Sequence, residues 1–309
     1  LATVADASAA DVHDYDLEKL WTWKTLGLSV GSHPLVKSGL LDKSLKLGRS
    51  RFGAGFTEWD GNVSSATAGS RFADRLETSV HSPTSLERWA GCPFSYFLSN
   101  ILGIGSLDKP EEIYSITPLE RGSLGHEILE KFISAIAAEG MLPKPDESWN
   151  DHHRGILKRV AESAFQNAES RGVTGKGVMW QLDRVDILND LETFLEEDSR
   201  LRERFGVSPV MVEARFGLPD SAWSEALCVL DDGTTLKFRG IIDRVDADPE
   251  GKKVLVLDYK TGGTRGYSRL KDDPVDKGKR LQLGVYSLAA QGAMGNDVEV
   301  KAAYWFVTN

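Results

Sequence analysis

Residues Val254 to Gly263 read VLVLDYKTGG, and the opening of that run leaves little choice of structure. A short apolar stretch bounded by turn residues is a strand buried on both faces, the central strand of a layered α/β protein. The same run ends in Asp258 and Lys260. Strand residues two apart share a face, so both charges project alongside Val254 and Val256. On the preceding run, GIIDRVD, Asp243 shares a face with Ile241 and Val245. If the turn DADPEGKK joins the two runs as a hairpin, Asp243 and Asp258 converge at one end of a sheet, with Lys260 beside them.

Two carboxylates and an amine carried on rigid strands suit Mg2+ or Mn2+, which take oxygen ligands and keep waters for a substrate to replace. Such an ion lowers the pKa of water and neutralises charge on a phosphodiester, while Lys260 orients the attacking water. A plain ion pair between Asp258 and Lys260 is the competing reading. Taking charges out of water is costly, so three charges converging from apolar faces favour function.

The rest of the chain frames this pair. From Pro209 the apolar period is two: PVMVEARFGL and TLKFRGIIDRVDAD alternate, and VEVKAAYWFVT follows the helical RLQLGVYSLAAQ. Upstream the period is helical. Ser82 or Thr84 caps a helix at SPTSLERWAG, a second follows Pro93, and ERGSLGHEILEKFISAIAAEG carries the stripe Leu124, Ile128, Phe132 and Ile136 up to Gly140. Two more helices are expected over 151–170 and 181–205, separated by RGVTGKG. The architecture predicted is α/β, a mixed central β-sheet flanked by helices with a helical insertion. Residues 1–80 read as a connector or partial upstream domain, with a helix in DLEKLWTWKTLGL and loop with short strands in GRSRFGAGFTEWDGNVSSATAGS.

In order, RGSLGHEILEKF, GIIDRVD, VLVLDYKTG and QLGVYSLA resemble the motifs of the RecB-like nuclease domain of the PD-(D/E)XK superfamily. The resemblance covers residues 81–309 and implies a restriction-endonuclease-like core. It implies Asp243 and Asp258 as metal carboxylates, His126 as a further metal ligand and Lys260 as the catalytic lysine. Gln282 and Tyr286, at i and i+4 on one helix face, are implied as supports of the lysine and contacts to DNA. Glu213 resembles the family's upstream acidic position, and a solvated glutamate fits it equally well. The activity implied is metal-dependent exonucleolytic hydrolysis of DNA in double-strand-break repair, with a helicase domain or subunit as partner, in a cytoplasmic, nucleoid-associated protein. A stand-alone exonuclease of the CRISPR-adaptation kind and an inactive DNA-binding module are the alternatives.

Charge and cysteine usage refine this picture. The 309 residues carry a net charge of −9, which argues against coating nucleic acid by bulk attraction. Between Lys260 and Arg280, however, seven cations face three aspartates, a net of +4. Arg265, Arg269, Lys271, Lys277, Lys279 and Arg280 are therefore candidates for tracking phosphates, or else decorate a solvated loop. GCPFSYFL resembles the segment that gives the first cysteine of a 4Fe–4S cluster in AddB-type and CRISPR-adaptation nucleases. Cys92 is then either the first ligand of a cluster that a longer chain completes, the nuclease domain being truncated at Asn309, or a buried thiol. The start at Leu1 rather than Met fits a piece of a longer chain. Cys228 reads as core, two thiols fit a reducing cytoplasm, and His152 and His153 read as surface. No apolar run is long enough for a membrane span, and GVTGKGV lacks the spacing of a phosphate-binding loop.

Overall fold

The computed structural model describes residues 12–55, 57, 79–105, 114–295 and 297–307. It divides into two compact units, Leu1–Thr78 and Ser79–Asn309. The first unit has helices α1 (Val12–Thr25), α2 (Pro34–Lys37) and α3 (Leu40–Arg51). The helix expected in DLEKLWTWKTLGL therefore forms. Of the Gly- and Ser-rich stretch after it, Gly48–Arg51 close α3, and most of the remainder lies outside the described residues.

The second unit begins with β1 (Val80–His81), α4 (Pro83–Gly91) and α5 (Pro93–Tyr96), which runs on as a π turn over Phe97–Ile101. Ser82 caps α4 by accepting the Ser85 N–H at 3.2 Å. Three long helices follow: α6 (Pro118–Ala138), α7 (Asp151–Arg171) and α8 (Gly177–Phe205). Thr117 caps α6 with Pro118 in its first turn, and Gly140, at φ +67°, ends it. Strands β2 (Ser208–Phe216), β3 (Ala226–Val229), β4 (Thr235–Phe238), β5 (Gly240–Ala247) and β6 (Lys253–Lys260) come next, then α9 (Gln282–Met294) and β7 (Glu299–Phe306).

The main sheet has the order β2-β5-β6-β7, antiparallel except for the parallel β6–β7 pair. That is the mixed sheet the sequence pattern predicts, with β6 as an inner strand. Its two faces are covered by different elements. Leu255, Leu257 and Tyr259 face the helices α6–α8, while Val254 and Val256 pack with Val285, Tyr286 and Ala289 of α9.

Two expectations are corrected, and one strand that was not foreseen is added. TLKFRGIIDRVDAD is two strands in two sheets, because β4 joins a small sheet of order β1-β4-β3. The chain crosses between them at Gly240, where a Cβ would stand 2.9 Å from the Phe216 ring. EALCVL supplies a strand of its own, β3, with Cys228 half-buried against the α9 side of the core. His153 is buried, not surface: Asn150 Oδ1 accepts its N–H, its Nδ1 accepts the Asn150 N–H, and its Nε2 lies 3.1 Å from the Met141 carbonyl.

Beneath the sheet lies a closed network of charges. Arg244 and Arg202 are fully buried, and Asp198 accepts from both, at 2.5 and 2.9 Å, as well as from Trp149 Nε1 at 2.7 Å. Asp246 takes two further bonds from Arg244, and Arg202 donates to the Lys144 and Glu147 carbonyls. Two cations and two anions balance, which makes burial tolerable. The network pins β5 to α8 one residue away from Asp243.

Candidate metal and catalytic site

The β5–β6 ladder ends at the pair Arg244 and Leu257, and the next residue on each strand is an aspartate. Asp243 substitutes for the missing ladder bond, its Oδ2 accepting the Tyr259 N–H at 2.6 Å. On the other side of β5, Val212 pairs with Arg244 and Ala214 with Ile242, so Glu213 stands opposite Asp243. Glu213 is outside the ladder and adopts φ +48°. A left-handed non-glycine residue costs about 1–3 kcal/mol and persists where its surroundings enforce it. Simple alternation cannot foresee this local reset, so the sequence alone leaves Glu213 undecided.

His126 reaches the same place from α6. Gly122, one turn earlier, lets the helix approach the strand end, since a Cβ there would lie 2.9 Å from Thr261 Oγ1. His126 Nε2 is 3.1 Å from the Tyr259 carbonyl, which only accepts, so this nitrogen carries the proton. Nδ1 then faces Asp243 Oδ1 at 3.3 Å. A lone pair and a carboxylate oxygen tolerate that approach only with positive charge between them, a proton or a cation. Burial opposes charging the ring, but the Asp243 hydrogen bond and the charges of Asp243 and Asp258 prevail and raise its pKa. Ligand atoms of His126, Glu213 and Asp243 lie within 4.8 Å of one another, a spacing that fits one ion.

Burial, then the charges of Asp243 and Glu130, push the Glu213 carboxyl up to about 7. Burial likewise pushes Asp258 up to about 6; Lys260 counters part of the shift and Asp243 adds to it. Asp243 and His126 meet with Glu213, whereas Asp258 Oδ2 is ion-paired with Lys260 Nζ. Nζ also donates to Gln282 Oε1 at 3.1 Å. The ammonium also lies 5.1 Å over the Tyr304 ring. Gln282 Nε2 donates to Tyr286 Oη at 3.4 Å, so both α9 residues stand behind the lysine. The plain ion pair forms with the lysine still lining the cleft.

An open cleft of about 560 Å³ is lined by His126, Glu213 and Lys260. Following β6, residues 264–280 carry Arg265, Arg269, Lys271, Lys277 and Lys279 exposed to solvent. Arg280 differs: it is half-buried, with its guanidinium 4.5 Å over the Tyr267 ring. Cys92 is exposed between α4 and α5, which removes the buried-thiol reading. Sequence reasoning passed over Tyr304 and Glu87, whose Oε1 accepts the Leu281 and Gln282 N–H groups. Neither leaves a local signal, because each meets the site only through the fold.

Comparison with known proteins gives the family. The profile of the PD-(D/E)XK nuclease superfamily matches residues 80–309. Among curated proteins, an ATP-dependent helicase/deoxyribonuclease subunit from Acetivibrio thermocellus is 27% identical over 217 residues, 68% of this chain and 18% of the relative. The corresponding subunits from Clostridium perfringens and Lachnoclostridium phytofermentans are 27% and 28% identical over 82% and 92% of this chain. These stretches are 21% and 22% of the two relatives, so the chain spans about a fifth of the length of the curated relatives it matches.

Proposed function

Because the chain belongs to the PD-(D/E)XK nuclease superfamily, we propose that its strand-end site hydrolyses DNA phosphodiester bonds with a divalent cation, Mg2+ or Mn2+. His126 Nδ1, Glu213 and Asp243 hold the ion, with Asp258 beside them. The observation that carries this reading is the convergence of those three groups within 4.8 Å at the strand end that bears Lys260. Bound there, the ion lowers the pKa of water and offsets charge on the phosphodiester. Lys260, held by Gln282 and Tyr304, orients the attacking water and faces the negative charge that builds on the phosphate oxygens. The cationic segment 264–280 guides the DNA backbone past it. The names of the relatives support a place in a helicase–nuclease. In that setting the module digests DNA from broken ends.

The direct test is a cleavage assay on end-labelled single- and double-stranded DNA, with Mn2+, Mg2+ or chelator. Release of short products from ends with either ion, and none with chelator, is expected. Bound DNA left uncut in every divalent ion would favour the inactive module.

The donor set yields two finer expectations. Imidazole suits Mn2+ better than Mg2+, so Mn2+ should half-saturate the enzyme at lower concentration. His126→Ala should raise the Mn2+ required by at least about tenfold. An unchanged Mn2+ titration in that variant would remove His126 from the set.

Acid should weaken the site. Ion binding must displace the protons that Glu213 holds up to about pH 7 and Asp258 up to about pH 6. Mn2+ affinity by calorimetry should therefore fall as pH drops through this window, and Glu213→Gln should lose the upper part of the dependence. The metal-free fold responds in the opposite sense. Both acids bind protons more tightly folded than unfolded, so their contribution to stability grows as pH falls toward the ordinary carboxylate range. Mn2+ affinity that stays level across both titrations would contradict the assignment.

A further inference from the structure

Helix α9 begins without the means to cap itself. Its N-cap residue is Leu281, whose side chain accepts nothing, and its first turn has no acidic residue. The first N–H groups of a helix have no partner within it. Here Glu87 Oε1 takes two of them, the Leu281 N–H at 2.6 Å and the Gln282 N–H at 3.1 Å. Glu87 belongs to α4, 194 residues before Leu281. That helix is itself fixed, capped by Ser82 and packed through Leu86 into the cluster containing Val285 and Tyr286.

Gln282, the first residue of α9, is also the one whose Oε1 accepts from Lys260. We propose that Glu87 is a positioning residue for the hydrolytic site: by capping α9 from another helix, it holds Gln282 where Gln282 holds Lys260. An uncapped helix frays from its first residue, and fraying here releases the amide that steadies the ammonium. A carboxylate accepting from backbone N–H groups at a helix start gains from the helix dipole as well. The segment leading to Cys92, which ends α4, is thereby tied to the lysine. This inference rests on Lys260 acting in hydrolysis as set out above.

A double-mutant cycle on the full chain separates positioning from general support. Cleavage of end-labelled single-stranded DNA with Mn2+ would be measured for wild type, Glu87→Ala, Glu87→Gln, Gln282→Ala and the Glu87→Ala/Gln282→Ala double variant. Glu87→Ala should lower kcat about tenfold, the scale set by loss of a helix cap, with KM for DNA and the Mn2+ requirement unchanged. Glu87→Gln, which keeps Oε1, should cut at nearly the wild-type rate. In the Gln282→Ala background the Glu87→Ala change should add no further loss. A fully active Glu87→Ala variant, or losses that multiply in the double variant, overturns the proposal. Should Glu87→Ala melt too low to assay, Glu87→Asp withdraws the same carboxylate by one methylene and takes its place in the cycle. Asp243→Ala is the control: if it is inactive while Glu87→Ala equals wild type, Glu87 alone is excluded. If wild type itself cuts nothing, the hydrolytic reading fails and this inference with it.

Discussion

Lys260→Ala is expected to slow DNA cleavage by about a hundred- to a thousandfold, the usual loss when one preorganised charge-stabilising group is removed. The fold should survive. Lys260 is partly exposed at the end of β6, and its partners Gln282 and Tyr304 are anchored by their own elements. Mn2+ binding should persist too, because the amine is outside the group formed by His126, Glu213 and Asp243. The loss should therefore lie in kcat. One secondary shift is expected, since Lys260 opposes the rise of the Asp258 pKa. Without it, Asp258 keeps its proton to higher pH and Mn2+ affinity weakens at higher pH than in wild type. Lys260→Arg should restore little, because a planar guanidinium on a longer stem does not replace a compact ammonium held between an amide oxygen, a carboxylate and a ring face. Cleavage by Lys260→Ala at the wild-type rate would exclude the lysine from the chemistry.

Asp198→Ala is expected to cost about 3–5 kcal/mol, the toll of breaking a buried ion network on one side. Asp198 is fully buried and accepts from Arg244, Arg202 and Trp149. Without it the two guanidiniums keep only the charge of Asp246, and one positive charge is stranded in the core. At about 2–4 °C per kcal/mol for a unit of this size, the melting temperature should fall by about 10 °C. Asp198→Asn keeps an oxygen acceptor but presents an amide donor to donors, so it should also destabilise, by less. A melting temperature within about 2 °C of wild type for Asp198→Ala would show the network to be dispensable.

The frame of the site was legible because its signals are local. A continuous apolar run ending in a charge identifies β6, a short turn makes β5 its neighbour, and helical spacing puts His126 beside the stripe of α6. What escaped depends on contacts distant in sequence or on backbone exceptions. The left-handed Glu213 resets the face of β2 at one residue, and no alternation rule anticipates that. Glu87 meets α9 across 194 residues. The division of TLKFRGIIDRVDAD turns on packing at Gly240 against Phe216, a partner from another strand. His153 had a readable signal that was passed over: Asn150 three residues earlier makes a reciprocal cap, and a histidine so used turns inward.

Diffraction from crystals grown with Mn2+, recorded for anomalous scattering, bears most directly on the proposed ion site. A single strong peak in contact with His126 Nδ1, Glu213 and Asp243 is predicted, and the same peak should vanish in Asp243→Ala along with DNA cleavage. No peak among those three residues in a protein that cuts DNA with Mn2+ would contradict it.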